Sequence, residues 1–94
     1  MSSVVYKYRL GEPGLVYREQ VLTVPRGAKP MLVAEQGEYL CLWLLVDLRE
    51  PEARVLVYVI GTGEVVPARA EHLGSGIRAS GNVWHVYYGG EVQA

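Results

Sequence analysis

Residues Tyr39–Asp47 read YLCLWLLVD, residues 48–53 read LREPEA and residues 54–60 read RVLVYVI. Two apolar runs flank one short acidic loop, and this predicts an antiparallel hairpin at the centre of the fold. Successive side chains of a strand point to opposite faces. Tyr39, Cys41, Trp43 and Leu45 therefore share one face, and Leu40, Leu42, Leu44 and Val46 the other. The second run behaves alike, with Val55, Val57 and Val59 set against Leu56, Tyr58 and Ile60. A strand with water on one side carries polar residues at every second position. Both faces of these runs are apolar, so both need cover, and Trp43 is expected to be buried.

Working outward, residues 4–10 (VVYKYRL) alternate Val4, Tyr6, Tyr8 and Leu10 against Lys7 and Arg9, the pattern of a half-buried outer strand. Gly11-Glu12-Pro13-Gly14 is a turn, and residues 15–24 continue as strand. Pro25 and Pro30 with Gly27 break the chain and exclude helix and central strand. Residues 31–36 form a short run. Beyond Ile60, Gly61-Thr62-Gly63 is a glycine-rich turn. Residues 64–72 are interrupted by Pro67 and have room for one helical turn over 68–72. Residues 73–80 read as a weak strand that two glycines suit to a bulge, Ser80-Gly81-Asn82 as a hairpin turn, and residues 83–88 (VWHVYY) as the last strand, ended by Gly89-Gly90. About seven short strands without a long helix predict a single all-β domain over residues 1–94, either an antiparallel sandwich or a small barrel.

Ninety-four residues allow one domain. The net charge of −1 provides no global pull toward nucleic acid or anionic membrane. Cys41 is the only cysteine, so an intramolecular disulfide is excluded, and its place inside an apolar run makes it a small hydrophobe. The opening MSSVVYKYRL lacks the apolar stretch of a signal peptide, and no apolar run approaches the ~20 residues of a spanning helix. The expected location is cytoplasmic. Seven arginines against two lysines, nine glutamates against one aspartate and a single asparagine point to a thermophilic source, a bias that a GC-rich genome also gives.

Chemistry-bearing patterns are sparse. His72 and His85 are the only histidines, without the close spacing of a zinc motif, so no metal and no cofactor are expected. Cys41, His85 and Asp47 hold the residue types of a thiol triad, but geometry defines a triad and no catalytic residues are assigned. Gly61-Thr62-Gly63 resembles a phosphate cradle only until Glu64, whose charge repels an anion. The residues best suited to binding are Tyr6, Tyr8, Arg26, Lys29, His85 and Tyr87.

Taken in order, Tyr6-Lys7-Tyr8, Leu10, Gln20, Pro25-Arg26-Gly27-Ala28-Lys29, Gln36, Cys41-Leu42-Trp43, Val46-Asp47, Gly61-Thr62-Gly63, Leu73-Gly74-Ser75 and Val83-Trp84-His85-Val86-Tyr87 resemble an uncharacterised family of small tailed-phage and bacterial proteins, a domain of unknown function. The resemblance runs from Tyr6 to Tyr87. Members often carry histidine after the GTG turn, where this chain has Glu64, and threonine in place of Ser75. The resemblance implies a phage or prophage setting and supplies no activity. With it, the sequence reads as a non-catalytic accessory protein that binds a host or phage protein and self-associates as a homodimer. The alternative is a nucleic-acid or nucleotide-binding module using a tyrosine-lined sheet face.

Overall fold

The computed structural model describes residues 3–92. They form seven strands: β1 Ser3–Leu10, β2 Glu19–Pro25, β3 Lys29–Gln36, β4 Tyr39–Asp47, β5 Glu52–Gly61, β6 Glu71–Ile77 and β7 Val83–Glu91. Two antiparallel sheets pack face to face, one ordered β1-β4-β3 and the other β2-β5-β7-β6. The expected all-β fold is therefore a sandwich and not a closed barrel.

The two long apolar runs do not pair with each other, which corrects the hairpin expected from the sequence. β4 pairs with β1 and β3, whereas β5 pairs with β2 and β7. The connection between them crosses from one sheet to the other. Asp47 makes that crossing tight: its carbonyl accepts from the Glu50 amide at 3.1 Å and its Oδ1 from the Arg49 amide at 2.9 Å. Leu40, Leu42, Leu44 and Val46 then face Ala53, Val55, Val57 and Val59 across the interior, with Leu10, Leu22, Val24, Val33 and Val86 completing the core. An arch and a hairpin bury the same alternate residues, so the alternation that predicted strands could not distinguish the two connections.

The second apolar face of β4 is covered without a further layer. Arg9 lies over the Tyr39 ring at 4.3 Å, and Lys7 Nζ donates to Gln36 Oε1 at 2.6 Å. These long stems run across the strand from β1 toward β3, shielding apolar surface while their charged ends stay in water. Cys41, set between Arg9 and Ala34 in the ladder, is 1% exposed. Trp43 is half-buried, which corrects the expectation of a buried ring.

The sandwich is tight on one side and open on the other. On the tight side β3 lies over β6, where Gly74 and Gly76 have no Cβ to hold Val33 away. Arg78, just after β6, reaches back to the Glu35 carboxylate, which also accepts from the Ala79 amide at 2.9 Å. The Arg78 side chain and then the Ala79 amide hold the Glu35 carboxyl below its ordinary pKa. On the open side β1 and β2 are free edges, linked where Gln20 Nε2 donates to the Arg9 carbonyl at 3.1 Å and Gln20 Oε1 accepts from the Gly11 amide at 2.8 Å.

Three local expectations also change. Residues 15–18 lie outside β2, because the chain first makes an isolated bridge between Glu12 and Leu15. Pro30 lies within β3 after all, at the sheet edge where its missing N–H is tolerated, with a bulge before Leu32. Residues 68–72 make no helical turn. Instead Ala70 closes a turn on Pro67, Arg69 takes a φ of 65°, and Glu71 and His72 open β6. No helix among the described residues is long and apolar enough to cross a membrane.

Candidate functional site

The predicted binding residues fall in three places. Tyr6 and Tyr8 lie on the inward face of β1 at the open side, where Tyr6 remains 45% exposed. Burial pushes the Tyr8 phenol above its ordinary pKa, and Tyr6 and Glu52 add to the shift. Arg26 and Lys29 flank the β2–β3 turn. His85 and Tyr87 point outward from the four-stranded sheet. The fold does not bring these three groups together.

Arg26 and Lys29 border a cleft of about 370 Å³ between the sheets at one end of the sandwich. Its floor is Leu22, Val24, Leu42 and Val57, each under a tenth exposed, so the open space lies at the mouth. There Arg26 donates to Glu91 at 2.6 Å, and Glu71 and His72 stand on the rim. The mouth is close to electrically neutral and the floor is shut, a poor receptacle for an anion.

A hydrogen-bonded side-chain chain runs over the outer face of the other sheet. Thr62 Oγ1 lies 3.0 Å from His85 Nε2, His85 Nδ1 lies 2.7 Å from Ser75 Oγ, and Ser75 Oγ lies 2.9 Å from His72 Nε2. The β6–β7 ladder makes this possible. Ser75 is paired with His85 and His72 with Tyr87, and a bulge between His72 and Gly74 adjusts the spacing. The His72 ring leans on Tyr87 with centroids 5.2 Å apart, and Tyr87 is paired with Tyr58 on β5. Sequence reasoning noted both histidines but missed Ser75 and Thr62. The signal was present, because a hairpin turn at Ser80-Gly81-Asn82 fixes the register that sets Ser75 beside His85.

The chain is not a catalytic triad. Among the described residues no carboxylate is hydrogen-bonded to either imidazole, and the far nitrogen of His85 ends on a threonine hydroxyl. Cys41 is on the opposite sheet, and burial pushes its thiol pKa up despite nearby Lys7 and Arg9. The glycine turn offers no anion cradle either, since Glu64 Oε1 already accepts from the Gly61 amide at 2.6 Å and pairs with Arg18. The described residues hold no cluster of three or more His, Cys, Asp and Glu side chains placed to share a metal. The aromatic row Tyr58–Tyr87 is flanked by Glu19, opposite Tyr58 on β2, rather than by a basic groove.

What remains open for recognition is an edge. β1 pairs with β4 from Ser3 to Leu10 without a register shift, and among the described residues β4 is its only strand partner. β3 carries a proline and a bulge, β6 carries a bulge and packs under β3, and β2 ends in Pro25. β1 has none of these protections, and beside the exposed Tyr6 its outward-facing Val5 is 51% exposed.

Fold and site together define a small two-sheet antiparallel sandwich with an unprotected edge strand and no assembled catalytic set among the described residues. The chain belongs to the family described as domain of unknown function (DUF7352), whose model matches residues 1–94. No curated protein matches the chain, and no solved structure does.

Proposed function

We propose that this chain is a non-catalytic, protein-binding module that self-associates as a homodimer through β1. The observation that carries the reading is the long, regular β1 edge, free of proline and bulge. An exposed strand edge offers a row of backbone donors and acceptors to another strand. A second copy supplies a matching strand under two-fold symmetry.

The side chains select a register. With Lys7 on the two-fold axis, like charges stand directly opposite, which is destabilising. With Tyr6 on the axis, Tyr6 meets Tyr6, Val5 meets Lys7 of the second copy, and Val4 meets Tyr8. That arrangement pairs apolar with aromatic side chains and separates the charges, as favourable cross-strand pairs require. The Gln20 contact to the Arg9 carbonyl occupies one end of the edge and limits the pairing to about the first six residues of β1. Such an edge contact buries much less than the ~1,600 Å² of a standard interface, so the dimer is weak, with a Kd in the micromolar range or above.

The setting of a phage or prophage accessory protein acting in the host cytoplasm on a host or phage protein rests on the sequence resemblance. Sedimentation equilibrium at micromolar to millimolar concentration tests the reading. Wild type is expected to rise from one chain mass toward two, and Tyr6→Lys to stay at one. A wild-type mass fixed at one chain removes the homodimer. Salt-sensitive retention of the protein on single-stranded DNA would instead favour the nucleic-acid alternative.

A further inference from the structure

The geometry points to a surface site for a divalent transition-metal ion at His72 and His85. His72 Nε2 and His85 Nδ1 both face one oxygen, Ser75 Oγ, at 2.9 and 2.7 Å. Two imidazole nitrogens from neighbouring strands thus converge on a single point on the solvent side of the sheet. Neutral imidazole is a good ligand for Cu²⁺, Ni²⁺ and Zn²⁺. An ion held by both nitrogens would have the Ser75 hydroxyl beside it, and water would fill the other positions.

Two further features fit this role. A metal-bound histidine ordinarily donates its other ring N–H to an oxygen, which fixes the tautomer and orients the ring. His85 has that partner in Thr62 Oγ1, 3.0 Å from Nε2, and in the tautomer with the proton on Nε2 the Nδ1 lone pair is directed at the shared point; the ion then replaces the Ser75 hydrogen bonds to both rings. The second feature is charge. Among the described residues, the hydrogen-bond partners of the His72, Ser75 and His85 side chains are one another and Thr62, all uncharged groups or imidazoles, with no ammonium or guanidinium bonded to them. With only two imidazoles the site takes its ion as a bidentate pair, and it ranks metals in the usual order, Cu²⁺ above Ni²⁺ and Zn²⁺. The site lies on the opposite sheet from β1, so it stands or falls independently of the dimer.

The probe is Cu²⁺–iminodiacetate, which keeps neighbouring coordination positions free for two imidazoles, titrated into untagged full chain at pH 7.5. The expected result is one complex per chain, with coupling to two imidazole nitrogens in the electron paramagnetic resonance spectrum. His72→Ala and His85→Ala should each weaken binding at least about tenfold and leave one imidazole. Thr62→Val removes the outer partner of His85 and should weaken binding by ~10-fold while keeping both nitrogens. His72 is exposed, so His72→Ala is expected to keep the wild-type circular dichroism and urea midpoint even if His85→Ala does not. Absence of binding at millimolar probe, or binding that His72→Ala leaves unchanged, would overturn the site.

Discussion

Gly74→Ala tests how closely the two sheets approach at the β3–β6 seam. A Cβ on Gly74 would lie 2.8 Å from Val33 Cγ2, and one on Gly76 would lie 3.0 Å from the Val33 carbonyl oxygen. Val33 is buried and β-branched, so its side chain has few alternative rotamers. Overpacking of this kind costs ~1–3 kcal/mol. Replacing glycine also restricts the unfolded chain, which offsets ~0.4–1 kcal/mol of that. A net loss of ~1–2 kcal/mol corresponds to a fall in Tm of ~4–16 °C for a domain of this size. Val33→Ala alone removes two buried methyl groups and costs ~2 kcal/mol. The double variant Gly74→Ala/Val33→Ala should then be more stable than the sum of its parts by ~1 kcal/mol, because the new methyl enters the space that Val33 vacates. Gly76→Ala/Val33→Ala should show a smaller coupling, since the obstacle nearest Gly76 is backbone. Urea denaturation monitored by Trp fluorescence measures these four variants and the Gly76→Ala single variant that completes the second cycle. A Gly74→Ala protein as stable as wild type, or equal couplings in both pairs, would refute the close approach.

Other substitutions and titrations probe the rest of the fold. Cys41 should react with a thiol reagent at neutral pH only after unfolding, because it is 1% exposed and burial raises its pKa; rapid labelling of native protein would contradict this. The Arg49 side chain and amide hold the Asp47 carboxyl at about 2 against an ordinary 3.8. A depressed folded pKa makes its stabilising contribution complete above the ordinary value and lost as pH falls toward 2. Carboxyl NMR titration should therefore place Asp47 well below its ordinary range in wild type and move it upward, but only part of the way back, in Arg49→Ala, whose residue-49 amide still donates to the carboxylate. Trp43→Ala should cost less than the ~3–5 kcal/mol of a fully buried ring, since Trp43 is half-buried on the outer face; a larger loss in urea denaturation would place the ring in the core.

The strands were legible in the sequence because their signals are local. β4 and β5 are continuous apolar runs, β1 and β7 alternate, and glycine, proline and asparagine mark most of the turns. The pairing of β4 and β5 was not legible, because the side-chain period of a strand is the same in a hairpin and in an arch between sheets. The burial of Trp43 was overestimated for a related reason. An apolar second face reads as a face needing another layer, yet here Tyr39, Trp43 and Leu45 stay half-buried, with Arg9 over the Tyr39 ring and Lys7 reaching Gln36 across the strand. The two glycines of residues 73–80 pointed to a bulge, and one lies between His72 and Gly74; that it carries His72 into reach of Ser75 was not legible, because the position of a bulge sets the register beyond it. Pro30 was read as a strand breaker, although at an edge the missing N–H faces no partner.

Concentration-dependent amide hydrogen exchange tests the role of β1 most directly, because it locates the contact as well as detecting it. Alternate amides of Ser3–Tyr8 point away from β4 and lack a strand partner in a single chain. At protein concentrations well above the dissociation constant these amides should exchange more slowly than at high dilution, while amides on the free edges of β2 and β6 should not change. Exchange on β1 that is the same at both concentrations, or protection that develops on β6 instead, would contradict self-association through β1.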